Sequence, residues 1–288
     1  MTFLSRTLAV PLLGLALFGS PAAAQPAAEP LKNPQVTIEY VATRTQQNQE
    51  VFERAKKYRV LELLQEFLAP LRLPKTLAVR MADCGGNLEV PYTSGQPVTI
   101  CYEFMRQIDV NAPGSRVIRI GPRALSKDEI IIGAYINLIL NQVAYAVIDI
   151  LDLPVWGRPE DAADSVAALV MLEFKPDPNV VWATLAGTSW FLAQRGFWGT
   201  GTFADVVRGG EAQRFYNYAC MAYGAYPKPF SFLVTNGDLP KDRADYCGAE
   251  YRGVRRSFMQ TIMPHVDLVK LKQTRGLDWA ARLQLPNR

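Results

Sequence analysis

The chain has 288 residues, 49% of them apolar and 20% charged, with a formal net charge of +4. The apolar share is enough for a sizeable core in one compact domain or two small ones. The charge is too small and too evenly spread for a nucleic-acid-binding surface, and the cluster Arg252, Arg255 and Arg256 reads as a solvated helix face.

In chain order, the first segment is expected to leave the mature protein. One positive residue, Arg6, precedes an apolar run from Leu8 to Phe18, and Ala22-Ala23-Ala24 follows. This order is that of a secretory signal peptide over 1–24, cleaved after Ala24. The alternative is an uncleaved anchor, but the apolar run is short for a membrane span. Residues 25–35 read as a flexible leader opening on Pro and Ala, and 36–288 as a single domain. The expected location is secreted or periplasmic.

Val36–Ala42 alternates and is β-branched, so it reads as a strand. Residues 49–71 have helical spacing and are expected to form one long helix. Lys75–Ala82 and Asn87–Tyr92 read as short strands, and Val98–Phe104 as a strand or a strand-to-helix transition. Ser126 and Glu129 have the spacing of a capping box at the start of a helix that runs to Leu151. A turn follows at 152–157. Pro159 suits the first position of the next helix, with Glu160 and Asp161 in its first turn. Further helices are expected over 179–194, 211–223 and 241–268. The layout is α+β: a small mixed sheet followed by a mostly helical body.

The cysteines are Cys84, Cys101, Cys220 and Cys247, an even count behind an export signal, which favours disulfides. Of the three possible pairings, the preferred one joins chain neighbours, Cys84 to Cys101 and Cys220 to Cys247.

Residues 130–148 carry no charge, so a membrane-spanning helix is one reading. Gly133, Asn137, Asn141 and Gln142 near its middle favour a buried core helix instead. Asn137, Asn141, Tyr145 and Asp149 are spaced by four and line one face. The next helix offers Glu160 and Asp164, again one turn apart. Two polar faces on successive helices are expected to meet in one pocket.

Residues 141–149 read Asn-Gln-Val-Ala-Tyr-Ala-Val-Ile-Asp, and 153–164 read Leu-Pro-Val-Trp-Gly-Arg-Pro-Glu-Asp-Ala-Ala-Asp. With Asp83-Cys84-Gly85-Gly86-Asn87, Cys101-Tyr102-Glu103, Gln213–Asn217, Cys220, Cys247 and Glu250-Tyr251, this resembles a family of bacterial secreted zinc metallopeptidases of otherwise unknown function. The resemblance spans about residues 36–268. The family's helix carries H-E-L-G-H-A-L-I-D, followed by L-P-x-x-G-R-x-E-D-A-A-D. It implies a zincin-like body, a zinc cofactor and peptidase chemistry.

The departures fall on the chemistry. In H-E-x-x-H the two histidines bind zinc and the glutamate deprotonates the metal-bound water. Here the ligand positions are Asn141 and Tyr145, and the base position is Gln142. An amide is a weak ligand and cannot act as a base, and a tyrosine would have to ionise. A further family histidine aligns with Val207. The acidic positions survive, with Glu160 the first choice for the third ligand, Asp164 the second and Asp161 beside them. The chain holds a single histidine, His265, so no two-histidine centre exists in one copy.

The expectation is an inactive member, a pseudoenzyme with no cofactor, open to a peptide or protein partner. Two alternatives stand beside it. One is a hydrolase with an unconventional site, such as an oxygen-ligand metal or a carboxylate pair like Glu103 and Glu160. The other is a membrane-anchored protein using 130–148.

Overall fold

The computed structural model describes residues 31–112, 114, 117–120, 123–174, 178–194 and 211–285. The expected signal peptide, most of the leader and Val207 lie outside these residues.

The first layer is a three-stranded parallel sheet in the order β1 (Val36–Tyr40), β2 (Leu77–Ala82), β3 (Val98–Cys101). Parallel strands need a crossover, and α1 (Gln46–Lys57) and α2 (Val60–Phe67) supply it between β1 and β2. The expected single helix over 49–71 is thus two. Arg59 adopts φ 54°, ψ 44° at the break. That left-handed residue turns the chain so that α1 buries Val51, Phe52 and Ala55 while α2 buries Leu61, Leu64 and Phe67.

The sequence 87–92 forms no strand, so the return from β2 to β3 is an irregular loop. The disulfide Cys84–Cys101 ties the start of that loop to the end of β3. The carboxylate of buried Glu103 accepts from the backbone N–H of Cys84 at 3.0 Å and of Gly86 at 3.2 Å. Asp83 fixes the other side, accepting from Thr43 Oγ1, the Arg44 N–H and Asn48 Nδ2 at 2.7–2.9 Å. β3 runs straight into α3 (Tyr102–Asn111), the expected strand-to-helix transition. An antiparallel hairpin, β4 (Val117–Ile120) and β5 (Arg123–Ser126), then leads into the helical body.

Its centre is α4 (Lys127–Ile150), opened by the expected capping box: Ser126 Oγ accepts from the Glu129 N–H, and Glu129 Oε2 from the Ser126 N–H. Of its most apolar 18-residue window, 72% is buried inside the fold, the environment of a core helix. Around it pack α5 (Pro159–Phe174) and α6 (Pro178–Gln194), with α7 (Glu211–Ala225) against both of these. Glycine lets α4 and α6 touch backbone to backbone. A Cβ on Gly133 would lie 1.8 Å from the carbonyl oxygen of Ala183, and one on Gly187 2.4 Å from the carbonyl oxygen of Ile130.

The short α8 (Phe232–Thr235) leads to α9 (Lys241–Thr261), held to α7 by the second disulfide, Cys220–Cys247. Both cysteine pairs are those favoured by chain proximity, and two disulfides suit an oxidising compartment. His265 sits in the 3₁₀ turn Met263–His265, where its carbonyl oxygen accepts from the Arg72 N–H at 2.7 Å. Then come α10 (Leu268–Arg275) and α11 (Trp279–Arg282), the latter packing Trp279 against Phe67 of α2.

Candidate functional site

The polar stripe on α4 meets α5 and α7 in the interior. Asn137, Asn141, Gln142, Asp164 and Arg214 are all buried, on helices that are otherwise apolar at this level. A carboxylate in such a place needs a counter-charge and a full set of donors. Asp164 has both. Arg214 grips it with two bonds, Nε to Oδ2 at 2.8 Å and Nη2 to Oδ1 at 2.9 Å. Tyr218, one turn further along α7, donates to Oδ1 at 3.1 Å. Asn141 donates through Nδ2 to the same oxygen at 2.6 Å, and its own Oδ1 accepts from Gln142 Nε2 at 3.3 Å. Burial, and then the charge of Asp164, push the Tyr218 phenol well above its ordinary pKa, so it stays protonated and serves as a donor.

The other expected residues lie around this knot. Tyr145 is half-buried, one turn beyond Asn141. Glu160 is one turn before Asp164 on α5. Both steps move toward the 151–158 connection, so the two residues lie at the same end of the site. Oxygen Oε2 of Glu160 is buried and has no hydrogen-bond partner among the described residues. A buried carboxylate oxygen left so is uncommon and costs about 1–3 kcal/mol. Asp161 turns aside to Arg158, at 2.8 Å and partly exposed. Asp149, at the exposed end of the stripe, accepts from Tyr92 and Ser94, each at 2.9 Å, and holds the loop 92–94.

The sequence left the partner of Asn141 open between Glu160 and Asp164, and gave no place in this network to Arg214 or Tyr218. Asp164 shares α5 with Glu160, Asp161 and Glu173, so the sequence alone does not single it out as the carboxylate that a buried cation must close.

The donors at this centre do not suit zinc. Zinc is held by imidazole, thiolate or carboxylate. Here the amide of Asn141 is turned to Asp164 nitrogen first, and both Asp164 oxygens are engaged by a guanidinium. A divalent cation beside Asp164 would face the positive charge of Arg214. Gln142 has no proton-accepting group of useful basicity.

Two other groupings fare no better as reactive sites. Cys84, Cys101 and Glu103 bring potential metal ligands together, but the sulfurs are joined in a disulfide and the carboxylate serves backbone amides. The same commitment of Glu103 removes it from any carboxylate pair with Glu160. His265 is placed in the turn that docks onto the loop after α2, through its backbone carbonyl.

A model of the DUF4344 family, whose description is "Putative metallopeptidase", matches residues 40–262. No curated protein and no solved structure matches the chain significantly.

Proposed function

The chain belongs to the DUF4344 family, and from that membership we propose that it is an exported member that has given up metal-dependent peptidase chemistry. One observation carries this reading. Where the family's helix presents a zinc-binding imidazole, Asn141 is bonded to an Asp164 already closed by Arg214. The guanidinium supplies the positive charge that would otherwise come from a cation, and it cross-links α5 to α7 as a metal would cross-link its ligands. Nothing in the set Asn141, Gln142, Tyr145 can generate a hydroxide nucleophile near neutral pH.

Glu160 is the remnant of the third ligand position. Its buried, unpartnered oxygen is what a ligand carboxylate leaves behind when the other ligands change. The role that remains is binding of a peptide or protein segment, by analogy with the family's activity alone. Export rests on the 1–24 leader sequence, and the two disulfides agree with it.

The test is metal analysis of the mature protein purified from zinc-supplemented medium, together with a general peptidase assay. We expect well under one zinc per chain and no chelator-sensitive cleavage. Stoichiometric zinc with cleavage abolished by chelator overturns the proposal. The Asn141→His, Gln142→Glu, Tyr145→His triple variant is expected to take up zinc, and adding Glu160→Gln to abolish that uptake. A folded triple variant that binds none refutes the assignment of Glu160.

A further inference from the structure

We propose that the 151–158 connection, at the Glu160 end of the site, presents Trp156 as the anchor for a cationic peptide segment of a partner protein, whose arginine or lysine side chains meet the carboxylates beside it. This rests on the reading that the chain binds a peptide or protein segment, and it names the chemistry of that segment. Trp156 is 95% exposed. Tryptophan is highly buried on average, and it is enriched among the few residues that anchor protein interfaces.

The backbone around it is set in advance. Leu153 packs against the core, and its N–H donates to the Ile148 carbonyl at 2.9 Å. On the other side the Ala162 N–H donates to the Arg158 carbonyl at 3.2 Å. Pro154 and Pro159 flank the tryptophan and each fixes a backbone φ. Gly157 takes φ 122°, a conformation open to glycine. A loop held in this way has little conformational freedom left to lose on binding.

Charge selects the partner. The whole chain carries +4, yet the residues around Trp156 are acidic. Asp149 and Asp152 precede it and are exposed, and Glu160 and Asp161 follow it. The cation within 149–161 is Arg158, which pairs with Asp161 at 2.8 Å. Asp149 accepts from the uncharged hydroxyls of Tyr92 and Ser94. Among the described residues, Asp149, Asp152 and Glu160 have no cation within salt-bridge distance. Glu160 adds the buried acceptor Oε2, without a partner among those residues. A guanidinium or ammonium gains from both kinds of group, lying over the indole face and bonding a carboxylate. An acidic segment, a nucleic acid or an anionic lipid surface would be repelled.

Fluorescence anisotropy of a labelled, flexible Gly-Ser peptide carrying arginines tests this, against the same peptide with glutamine or glutamate in their place. We expect the arginine peptide to bind at least about tenfold more tightly than the glutamine one, and to weaken as sodium chloride is raised. Trp156→Ala is expected to lower that affinity about tenfold, and Trp156→Tyr to keep most of it, since a phenol ring also attracts cations. Asp152→Asn should lower it about twofold to fivefold, the worth of one exposed ion pair. Asp152 stands at φ 50°, which asparagine tolerates, and both side chains are exposed, so the variants should unfold at the wild-type midpoint. Glutamine or glutamate peptides bound as tightly as the arginine peptide, or unchanged affinity in Trp156→Ala, overturns this inference and leaves segment binding standing. No saturable binding of any of these peptides overturns both, and self-association abolished by Trp156→Ala would then assign the anchor to a second copy. The loss of catalysis is decided separately, by the zinc content.

Discussion

At the scale of single residues, the buried Asp164–Arg214 pair is the most consequential contact in the molecule, because neither partner can be removed alone. Breaking a buried pair leaves an uncompensated charge, at a cost of about 3–5 kcal/mol. Arg214→Met is therefore expected to lower the unfolding free energy by that amount in urea titration. The double variant Asp164→Leu, Arg214→Met should recover much of the loss, since apolar residues of similar volume replace buried ions at little cost. Asp83 gives a contrasting case near the surface. Burial alone would raise its pKa, but the Arg44 N–H, Asn48 and Thr43 outweigh it and hold the carboxylate below its usual range. A depressed folded-state pKa contributes stability that is present above the unfolded value of about 3.9 and is lost as pH falls through the lower folded value. Below about pH 4 the wild-type protein should lose stability more steeply than Asp83→Asn, as followed by urea midpoints at stepped pH. The sequence made one half of the Asp164 contact legible, because Asn141 and Asp164 sit on helical faces that a spacing of four reveals. Arg214 was hidden for a physical reason: it lies 50 residues away, and nothing local to α7 tells a buried arginine from a solvated one.

At the scale of elements, the crossing of α4 and α6 depends on the absence of two side chains. Gly133→Ala would drive a methyl group into the backbone of Ala183, which cannot move as a side chain can. We expect a loss of about 3 kcal/mol or more, at the upper end of overpacking costs. Gly253, inside α9, has open space where its Cβ would stand. There Gly253→Ala should stabilise by about 0.5–1 kcal/mol, because alanine loses less backbone entropy on entering a helix. Thermal unfolding of the two variants side by side separates close packing from intrinsic helix preference. The helices themselves were legible wherever caps and periodicity agreed, as at Ser126 and Pro159. The break at Tyr58–Arg59 was not, since no glycine or proline marks it, and tertiary packing pulls α1 and α2 onto different parts of the core. The loop over 87–92 was misread as a strand for a related reason. Its apolar residues serve the loop that Asp149 and the Cys84–Cys101 bond hold in place, and no strand among the described residues pairs with it.

At the scale of the whole molecule, the two disulfides do different things although their loops are of similar length. By unfolded-state entropy, closing chain separations of 17 and 27 residues contributes about 3 and 3.5 kcal/mol respectively. Cys84–Cys101 restrains a loop at the edge of the sheet. Cys220–Cys247 instead clamps α7 to α9, where Gly224 already admits the backbone of Cys247 to within 2.3 Å of its would-be Cβ. The same α7 carries Arg214 and Tyr218, so the clamp fixes the register from which both reach Asp164. This predicts coupling between two changes that share no atom. Tyr218→Phe alone should cost about 1 kcal/mol, the worth of one buried hydrogen bond. Removing Cys220–Cys247 by paired alanines should cost the entropic amount plus whatever α7 loses in position. If the clamp sets that position, the combined variant will deviate from the sum of the two by at least about 0.5 kcal/mol, whereas Tyr218→Phe combined with loss of Cys84–Cys101 will be additive. Additivity in both cycles, measured by urea unfolding, would show that α7 holds its place by packing alone.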